Sequence, residues 1–449
     1  MKCLKKTIEY IFYLFIFFLP WQTRLIWQDT YLNDYVWEYG RFSLYGTQLI
    51  FFALMFFYVI WLFREKKIRR INFNNFCKKI IKPDVLTYWL VVLFALIGGF
   101  SVIWALNAQL AYYNWIVLLF GISLFSFVAI FDFRFENIAL VWVGSSIVQG
   151  VFAIWQFFSQ YVFANKWLGL AEHLPIVKGS IILQTYSERW LRSYGSLPHP
   201  NMLGGFLVIG IFFMFYLAFF GRTSFQRKFV LVGALTIVPG LFFSFCRSAM
   251  LALVISFVFL AIWIFRQNNK EYKKIFFQLS IIIFLIVSVL SWNMLDPVLT
   301  RIISNKPLET HSIEERMFFQ GQSVNLIKDN WLIGQGIGNY TLAIFQKINA
   351  TWPGYYYQPV HNIYLLIFAE VGVFGFLIFL LIIFLLFAQF FYFARAESVD
   401  FRLKQLILFL MFISTLIISF FDHYFWTLYF GMIIFWLILG LNLKYLKKI

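Results

Sequence analysis

Charge is scarce in this chain. Asp, Glu, Lys and Arg together make up 13% of its 449 residues, about half the share found in a soluble domain. What charge there is leans one way, with 37 Lys and Arg against 20 Asp and Glu and a formal net of +17. Cysteine is scarcer still: Cys3, Cys77 and Cys246 form no even, clustered set, which excludes a disulfide framework. Metal and nucleophile signatures are missing too. No Asp-x-Asp pair, no His-Glu-x-x-His, no Cys/His cluster and no Gly-x-Ser-x-Gly occurs. Neither metal-dependent hydrolysis nor serine acylation therefore has a signature, and no metal or other cofactor is expected. No internal repeat, low-complexity linker or soluble appendage interrupts the chain.

Apolar residues are abundant. They supply 62% of the sequence, with 61 Phe alone, and the mean hydropathy is +0.78. Repeated apolar runs of about 20 residues each match the thickness of a bilayer core. The expected fold class is therefore an all-α polytopic transmembrane helical bundle, a single integral membrane domain over 1–449. About twelve spans are expected, at 7–21, 44–63, 85–105, 112–131, 137–163, 200–220, 229–245, 248–265, 275–292, 363–391, 405–421 and 424–443. The first follows Lys2, Lys5 and Lys6 and shows no small-residue cleavage site before Pro20-Trp21, so it reads as an uncleaved anchor.

The charge imbalance orients the bundle. With the N-terminus in the cytoplasm, the segments 1–6, 64–84, 132–136, 221–228, 266–274, 395–404 and 444–449 face inward. They carry 25 of the 37 Lys and Arg, leaving 12 outside. Lys and Arg near span ends gather on the cytoplasmic side, which puts both termini in the cytoplasm of a cell whose cytoplasmic membrane holds the protein. The run Arg64-Glu65-Lys66-Lys67-Ile68-Arg69-Arg70 is then a cytoplasmic anchor. No nucleic-acid partner is expected, because no basic groove with interleaved aromatics lies on a soluble surface.

The segments left facing outward are 22–43, 164–199 and 293–362, with tight turns near Cys246-Arg247 and Asp422-His423. The longest, 293–362, is a partly helical outer loop. Within it Ser312-Ile313-Glu314-Glu315 fits a capping box that starts a helix at Ser312, with Met317, Gly321, Val324 and Trp331 along one face. Gly334 and Gly336-Ile337-Gly338 end that helix; no strand precedes them, so they are not a nucleotide loop. Arg316 falls in the opening turn, where free N–H groups favour anions, or else pairs with Glu314 or Glu315 on a solvated face. Arg247 sits in an apolar stretch and needs an anionic partner or a wet cavity, unless it snorkels to headgroups.

Arg189 and Arg192 precede Gly195 and His199-Pro200-Asn201. Pro200 suits the first position of a helix, with His199 near the cap. His361 follows Pro359 and stands at the mouth of the next long helix. Glu370 lies about two and a half turns deeper on the opposite face, so Asp422-His423 is the freer partner to propose for His361. Arginines match phosphate geometry through bidentate hydrogen bonds, and a histidine near neutral pKa takes a proton from a hydroxyl. Together they suggest transfer from a membrane lipid diphosphate to a hydroxyl acceptor.

These residues also carry a resemblance. Leu19-Pro20-Trp21-Gln22-Thr23-Arg24, Arg192-x-x-Gly195 with His199-Pro200-Asn201, and Ser244-x-Cys246-Arg247-Ser248-Ala249 come in order. They are followed by Glu315-Arg316, then Gly334-x-Gly336-x-Gly338, His361-Asn362-x-Tyr364 and Glu370-x-Gly372-x-x-Gly375. The chain resembles, over most of its length, the O-antigen ligase and O-antigen polymerase family of bacterial membrane glycosyltransferases. The resemblance implies an undecaprenyl-diphosphate-linked glycan donor and a metal-free cavity at the outer face. It further implies that Arg247 and Arg316 hold the diphosphate, Arg192 makes a secondary anion contact and His361 activates the acceptor. Arg189, His199, Asn201, Asn362, Tyr364, Asp422 and His423 form a second tier. Cys246 stands where Ser often precedes the arginine in this family. The acceptor stays open among a lipid, a glycan and a protein hydroxyl, so ligase, polymerase and protein-glycosylating activities remain alternatives, with membrane lipids as surroundings. A flippase would want inverted repeats or polar residues along several helices, and neither is evident.

Overall fold

The structure, a computed structural model, describes residues 2–65, 83–185, 188–303, 307–393 and 398–446. Most of the basic run from Arg64 to Arg70, read as a cytoplasmic anchor, and Cys77 lie outside the described residues. Each expected apolar run coincides with a helix. Among the described residues, nine helices are long and apolar enough to cross a membrane, and the apolar helices Asp84–Phe100 and Tyr429–Tyr445 are shorter. The first helix, Lys2–Phe18, spans 17 residues. The protein is an all-helical, multi-pass membrane protein.

One helix sits at the centre. Pro200–Phe220 has no polar face, and nearly all of its side chains are buried. An all-round apolar helix inside a bundle is surrounded by other helices rather than by lipid. Its neighbours are Phe135–Ser159, Ser224–Ser244, Arg247–Arg266 and Val399–Ser419. Close approach depends on Gly204 and Gly205. A Cβ on Gly204 would lie 2.7 Å from the Cys246 Cβ, and one on Gly205 would lie 2.0 Å from the Tyr424 hydroxyl. The two turns bearing Arg247 and Asp422-His423 thus pack against the start of the central helix.

The connecting segments gather at that same end. Residues 22–43 form short antiparallel pairings, Arg24–Gln28 with Phe42–Tyr45 and Tyr31–Leu32 with Tyr35–Val36. Asn33 donates to the carbonyls of Ala350 and Trp352 at 2.7 Å, tying this segment to the long loop. A second hairpin pairs Ile182–Gln184 with Arg189–Leu191. The long loop holds helices Leu295–Ile303, Pro307–Asp329 and Tyr340–Lys347.

One expectation for the long loop needs correction. Its helix is already formed at Pro307, so Ser312 is an interior residue and no capping box starts there. The face turned inward carries Phe319, Ser323 and Leu326. Met317, Val324 and Trp331 are exposed, the last just beyond the helix end at Asp329. The helix after His361, Ile363–Phe393, is also interrupted: Gly372 takes φ 69°, ψ −174°. The break frees backbone carbonyls, and the glycine turn after Asp329 takes them up. Gln335 and Gly336 donate to the carbonyls of Ala369 and Glu370 at 2.9 Å, and Val373 donates to Trp331 at 2.9 Å. Gly334 has φ 73°, and a Cβ there would lie 2.4 Å from the Glu370 oxygen, so only glycine permits this docking.

Candidate functional site

The site is built around the N-terminus of the central helix. Pro200 occupies its first turn, and the His199 ring accepts a hydrogen bond from the Asn201 N–H at 3.0 Å through Nδ1. Asn201 is the junction. Its Oδ1 accepts from the Arg192 guanidinium at 2.7 Å, and its Nδ2 donates to Asp422 Oδ2 at 2.8 Å. Arg192 also donates from Nε to the Ser244 carbonyl at 2.8 Å. Arg192, Asn201, Asp422 and His423 are all nearly fully buried, so these charge-assisted bonds form in a low-dielectric setting where they hold geometry firmly.

Asp422 joins this junction to His361. Asp422 Oδ1 accepts from the backbone N–H of His423 at 2.8 Å and lies 3.9 Å from His361 Nδ1. The His361 and His423 rings stand 5.0 Å apart. The two histidines differ in what holds them. His423 Nδ1 is 2.7 Å from the Thr427 hydroxyl, and its Nε2 is 3.4 Å from the Tyr39 hydroxyl. His361 Nδ1 is buried without a hydrogen bond, while 27% of the side chain remains exposed. The exposed part is therefore the ring edge away from Asp422. His361 alone of the two presents a nitrogen not taken by a neighbouring hydroxyl.

The charges shape protonation in a consistent direction. Burial holds the His199 pKa down at about 3, with Arg192, His423 and Arg316 adding repulsion against the pull of Asp422. Burial also lowers the pKa of His361, helped by the neighbouring His423, opposed by Asp422 and reinforced by Arg316. His423 is lowered by burial, with Asp422 opposing and Arg316 adding to it. For Asp422 burial favours the neutral acid, but His361, His423, His199 and the Asn201 hydrogen bond outweigh it and pull the pKa below the ordinary carboxylate range. Neutral imidazoles beside an ionised carboxylate are the protonation states a general base requires.

Seven of the sequence-derived residues therefore meet: Arg192, His199, Asn201, His361, Asp422, His423 and, through its field on the three rings, Arg316. Arg247 lies on the adjoining turn, where Cys246 Sγ is 4.0 Å from the Asn201 carbonyl. Its Nη1 is 3.5 Å from the Arg301 carbonyl, and Arg301 donates to Phe245 at 3.0 Å. Arg189 is exposed on the Arg189–Leu191 strand. Asn362 and Tyr364 stand next to His361 but are committed locally. Asn362 caps the helix by accepting from the N–H groups of Tyr364 and Leu365, and the Tyr364 hydroxyl donates to Leu416 at 3.0 Å. Glu370 is buried against Trp426, whose indole donates to it at 2.8 Å.

Sequence reasoning missed Tyr39, Thr427 and Arg301. Tyr39 also donates to Gln358 at 2.9 Å, and burial pushes its pKa up, so it stays a donor. No local signal marks Tyr39, since it becomes part of the site only by long-range packing. Metal binding is also chemically open to this centre. The ligand atoms of His361, Asp422 and His423 lie within 4.8 Å of one another, and two imidazoles with a carboxylate suit a transition-metal ion. In the geometry described, however, both His423 nitrogens face hydroxyls.

Residues 232–380 match the family model described as O-Antigen ligase. No curated protein matches the chain. The matched stretch covers about a third of the 449 residues, contains Arg247, Arg316 and His361, and is what this membrane protein has in common with the O-antigen ligase family.

Proposed function

We propose that the protein transfers a glycan from an undecaprenyl-diphosphate carrier to a hydroxyl acceptor, in the manner of an O-antigen ligase attaching surface polysaccharide. The observation that carries this reading is the ring of His361: its Nδ1 faces Asp422 and its other edge is accessible, beside the buried Arg192 and the half-buried Arg247 and Arg316. The acceptor oxygen attacks the anomeric carbon as the glycosidic C–O bond to the diphosphate breaks. The acceptor proton passes to His361 Nε2, Asp422 steadies the imidazolium, and the bond pair leaves on the lipid diphosphate. Arg316, Arg247 and Arg192 supply positive charge to that leaving group in place of a metal ion. The site lies on the outer face of the cytoplasmic membrane with both termini inside, a placement supported by the 25 inward against 12 outward basic residues.

A sugar hydroxyl is a weak nucleophile, and a positioned base is worth about 10²–10⁴-fold. The test is transfer by purified protein supplied with lipid-diphosphate glycan and candidate acceptors, run for wild type, His361→Gln and His423→Gln. His361→Gln should still bind donor and lose at least about a hundredfold in rate. Near-normal turnover of His361→Gln with loss in His423→Gln would reassign the base. The same assay in excess chelator separates the two readings of the His361, Asp422 and His423 cluster. Activity that vanishes with chelator and returns with a divalent metal would replace base catalysis by a metal centre. Extension of the donor glycan on its own carrier would identify a polymerase rather than a ligase.

A further inference from the structure

One buried carboxyl takes no part in the transfer described so far. Glu370 is 2% exposed, and no Lys, Arg or His among the described residues pairs with it. Its Oε2 accepts from the Trp426 indole at 2.8 Å and its Oε1 from the Tyr340 N–H at 3.4 Å, with the Gly338 N–H close by. A carboxylate has about four acceptor sites, so capacity remains for a further donor. A carboxyl buried inside a membrane bundle is costly and points to proton or ion handling. The plainer reading is structural, with Glu370 only tying the long loop to the turn that bears His423 and Thr427.

A small cavity beside Glu370 favours the first reading. Glu370 lines it together with Tyr39, Ser43, Thr427 and Tyr429. Its volume of about 60 Å³ holds about four waters and falls well short of a substrate site. The lining calls for water. The buried Ser43 Oγ and Tyr429 Oη have no hydrogen-bond partner in the protein, and buried hydroxyls are rarely left unpaired. Bridging water is the ordinary partner for such groups. The cavity meets solvent beside Arg24 and Glu38, which also line it and whose side chains are 30% and 41% exposed. It meets the histidines through two hydroxyls. Thr427 Oγ1 is 2.7 Å from His423 Nδ1, and Tyr39 Oη is 3.4 Å from His423 Nε2. Polar atoms of His423, His361 and Asp422 lie within 4.8 Å of one another, a gap that one water bridges.

We propose that this hydrated cavity is a proton outlet for the histidine pair, with Glu370 as its inner acceptor and the Arg24–Glu38 mouth as its exit. The inference rests on the glycosyl-transfer reading above. While donor and acceptor occupy the exposed edge of His361, the imidazolium loses a proton from Nδ1, on its other side. That proton passes by water to His423, then through Thr427 and cavity water to the Glu370 carboxylate, and from there to the outer solvent. His361 is left neutral, the acceptor's proton has been balanced, and no electron changes hands. Glu370 suits the task because no cation fixes it in its charged form. The charged groups facing it across the cavity, Arg24, Glu38 and Arg41, are held in ion pairs with one another. The phenols there, Tyr39, Tyr45, Tyr113, Tyr340 and Tyr429, titrate well above neutral pH.

The test reads hydration and turnover separately. Difference infrared spectra of purified full-length protein, taken as the pH is lowered from about 9 to 5, should show a carboxylic C=O band that is missing in Glu370→Gln. Water access should shift that band promptly in heavy water. Transfer is measured with lipid-diphosphate glycan and an acceptor that wild type uses. Glu370→Gln should lower kcat at least about tenfold, leave the donor KM within about twofold, and regain rate when formate, a small acid that fits the cavity, is added. A lost structural tie is not restored by formate. Should Glu370→Gln fail to fold, Glu370→Asp identifies the band by its changed frequency, and Ser43→Leu, which fills the cavity, must slow both exchange and turnover. The relay is overturned by the absence of a Glu370 band, by a band that does not shift in heavy water, or by a kcat within about twofold of wild type. A loss that formate leaves unrestored also overturns it and returns Glu370 to the structural reading. Wild-type protein that transfers nothing to any acceptor removes the glycosyl-transfer reading and the relay with it, whereas failure of the relay alone leaves wild-type transfer intact.

Discussion

Replacing Asp422 by Asn keeps the shape but removes one charge from the centre, together with the Oδ1 that accepts from the His423 N–H at 2.8 Å. The side chains are isosteric, and the amide oxygen can still accept from Asn201 Nδ2 as Asp422 Oδ2 does at 2.8 Å. The negative charge that disappears stands 3.9 Å from His361 Nδ1. Two unit charges about 4 Å apart interact by about 4 kcal/mol at an effective dielectric of about 20. That energy is absent while His361 is neutral and present once it holds the acceptor proton, so it falls almost entirely on the transition state. Each ~1.36 kcal/mol is tenfold in rate, giving a ceiling of about a thousandfold. Because 27% of the His361 side chain is exposed, water screens part of the interaction, and a loss of about 10²-fold in kcat is the expected outcome. The donor KM should stay within about twofold, since Asp422 is proposed to act on the imidazole and not on the diphosphate.

The pH profile supplies an independent check on the same variant. Burial already lowers the His361 pKa, and Asp422 opposes that shift. Wild type should therefore show its acid limb below the unperturbed histidine value of about 6.5, with a flat plateau above it. This revises the limb near 6.5 that an isolated interfacial histidine would give. Asp422→Asn removes the attraction that opposes the shift, so the limb should move further down while the plateau falls. Initial rates from about pH 4 to 8, on protein of verified fold, measure both. A variant within threefold of wild type, or one whose acid limb moves upward, would refute the dyad.

Arg316→Ala and Arg247→Ala should each lower transfer at least about tenfold, and Lys should rescue poorly because it loses two-pronged hydrogen bonding; full activity of both Ala variants would return them to surface charges. A cysteine at Gln322 should react with an impermeant reagent added to whole cells and one at Asn268 should not, and the opposite pattern would put the site on the wrong side of the membrane. Stability should fall on acidification. The folded pKa of His199 is lowered to about 3, so below about pH 6.5 the unfolded chain binds the extra proton, and the loss proceeds until the pH nears the folded value. The loss at pH 5 is on the order of 1–2 kcal/mol for this ring, readable as a lower melting temperature in detergent that His199→Gln should partly restore; a melting temperature flat from pH 7 to 5 would contradict it.

What could be read from the sequence follows the range of the forces involved. A run of about 20 apolar residues declares a helix by itself, so each expected span has a helix in its place, and Pro200 with His199 declares a helix start from neighbouring residues alone. The misreadings sit where local and distant interactions compete. Ser312 to Glu315 satisfies a capping pattern, yet the chain is already helical from Pro307, because a pattern worth about 1 kcal/mol cannot fix a boundary against tertiary packing. The break at Gly372 is invisible within an apolar run, since its compensation comes from Trp331, Gln335 and Gly336, more than thirty residues away in sequence. The charged and histidine members of the site stand out in so apolar a sequence, whereas Tyr39 is one of 24 tyrosines and nothing local distinguishes it.

The same logic bears on what the family match does and does not contain. Residues 232–380 include Arg247, Arg316 and His361, but Asp422 and His423, which face His361, lie outside that stretch. Asp422 is tied to Asn201 across 221 residues of sequence, and both depend on Gly204 and Gly205, which let the Cys246 and Tyr424 turns close on the central helix. A base is effective only when its orientation is fixed before the substrate arrives. The flanking helices are therefore as much a part of the centre as the matched segment, and the Arg192–Asn201–Asp422 chain is the element that couples them. Its cost is a buried arginine and a buried carboxylate. Each is compensated through the two ends of one asparagine amide, which donates to the anion and accepts from the cation. No hydrophobic replacement could carry that alignment to the Asp422 oxygen facing His361.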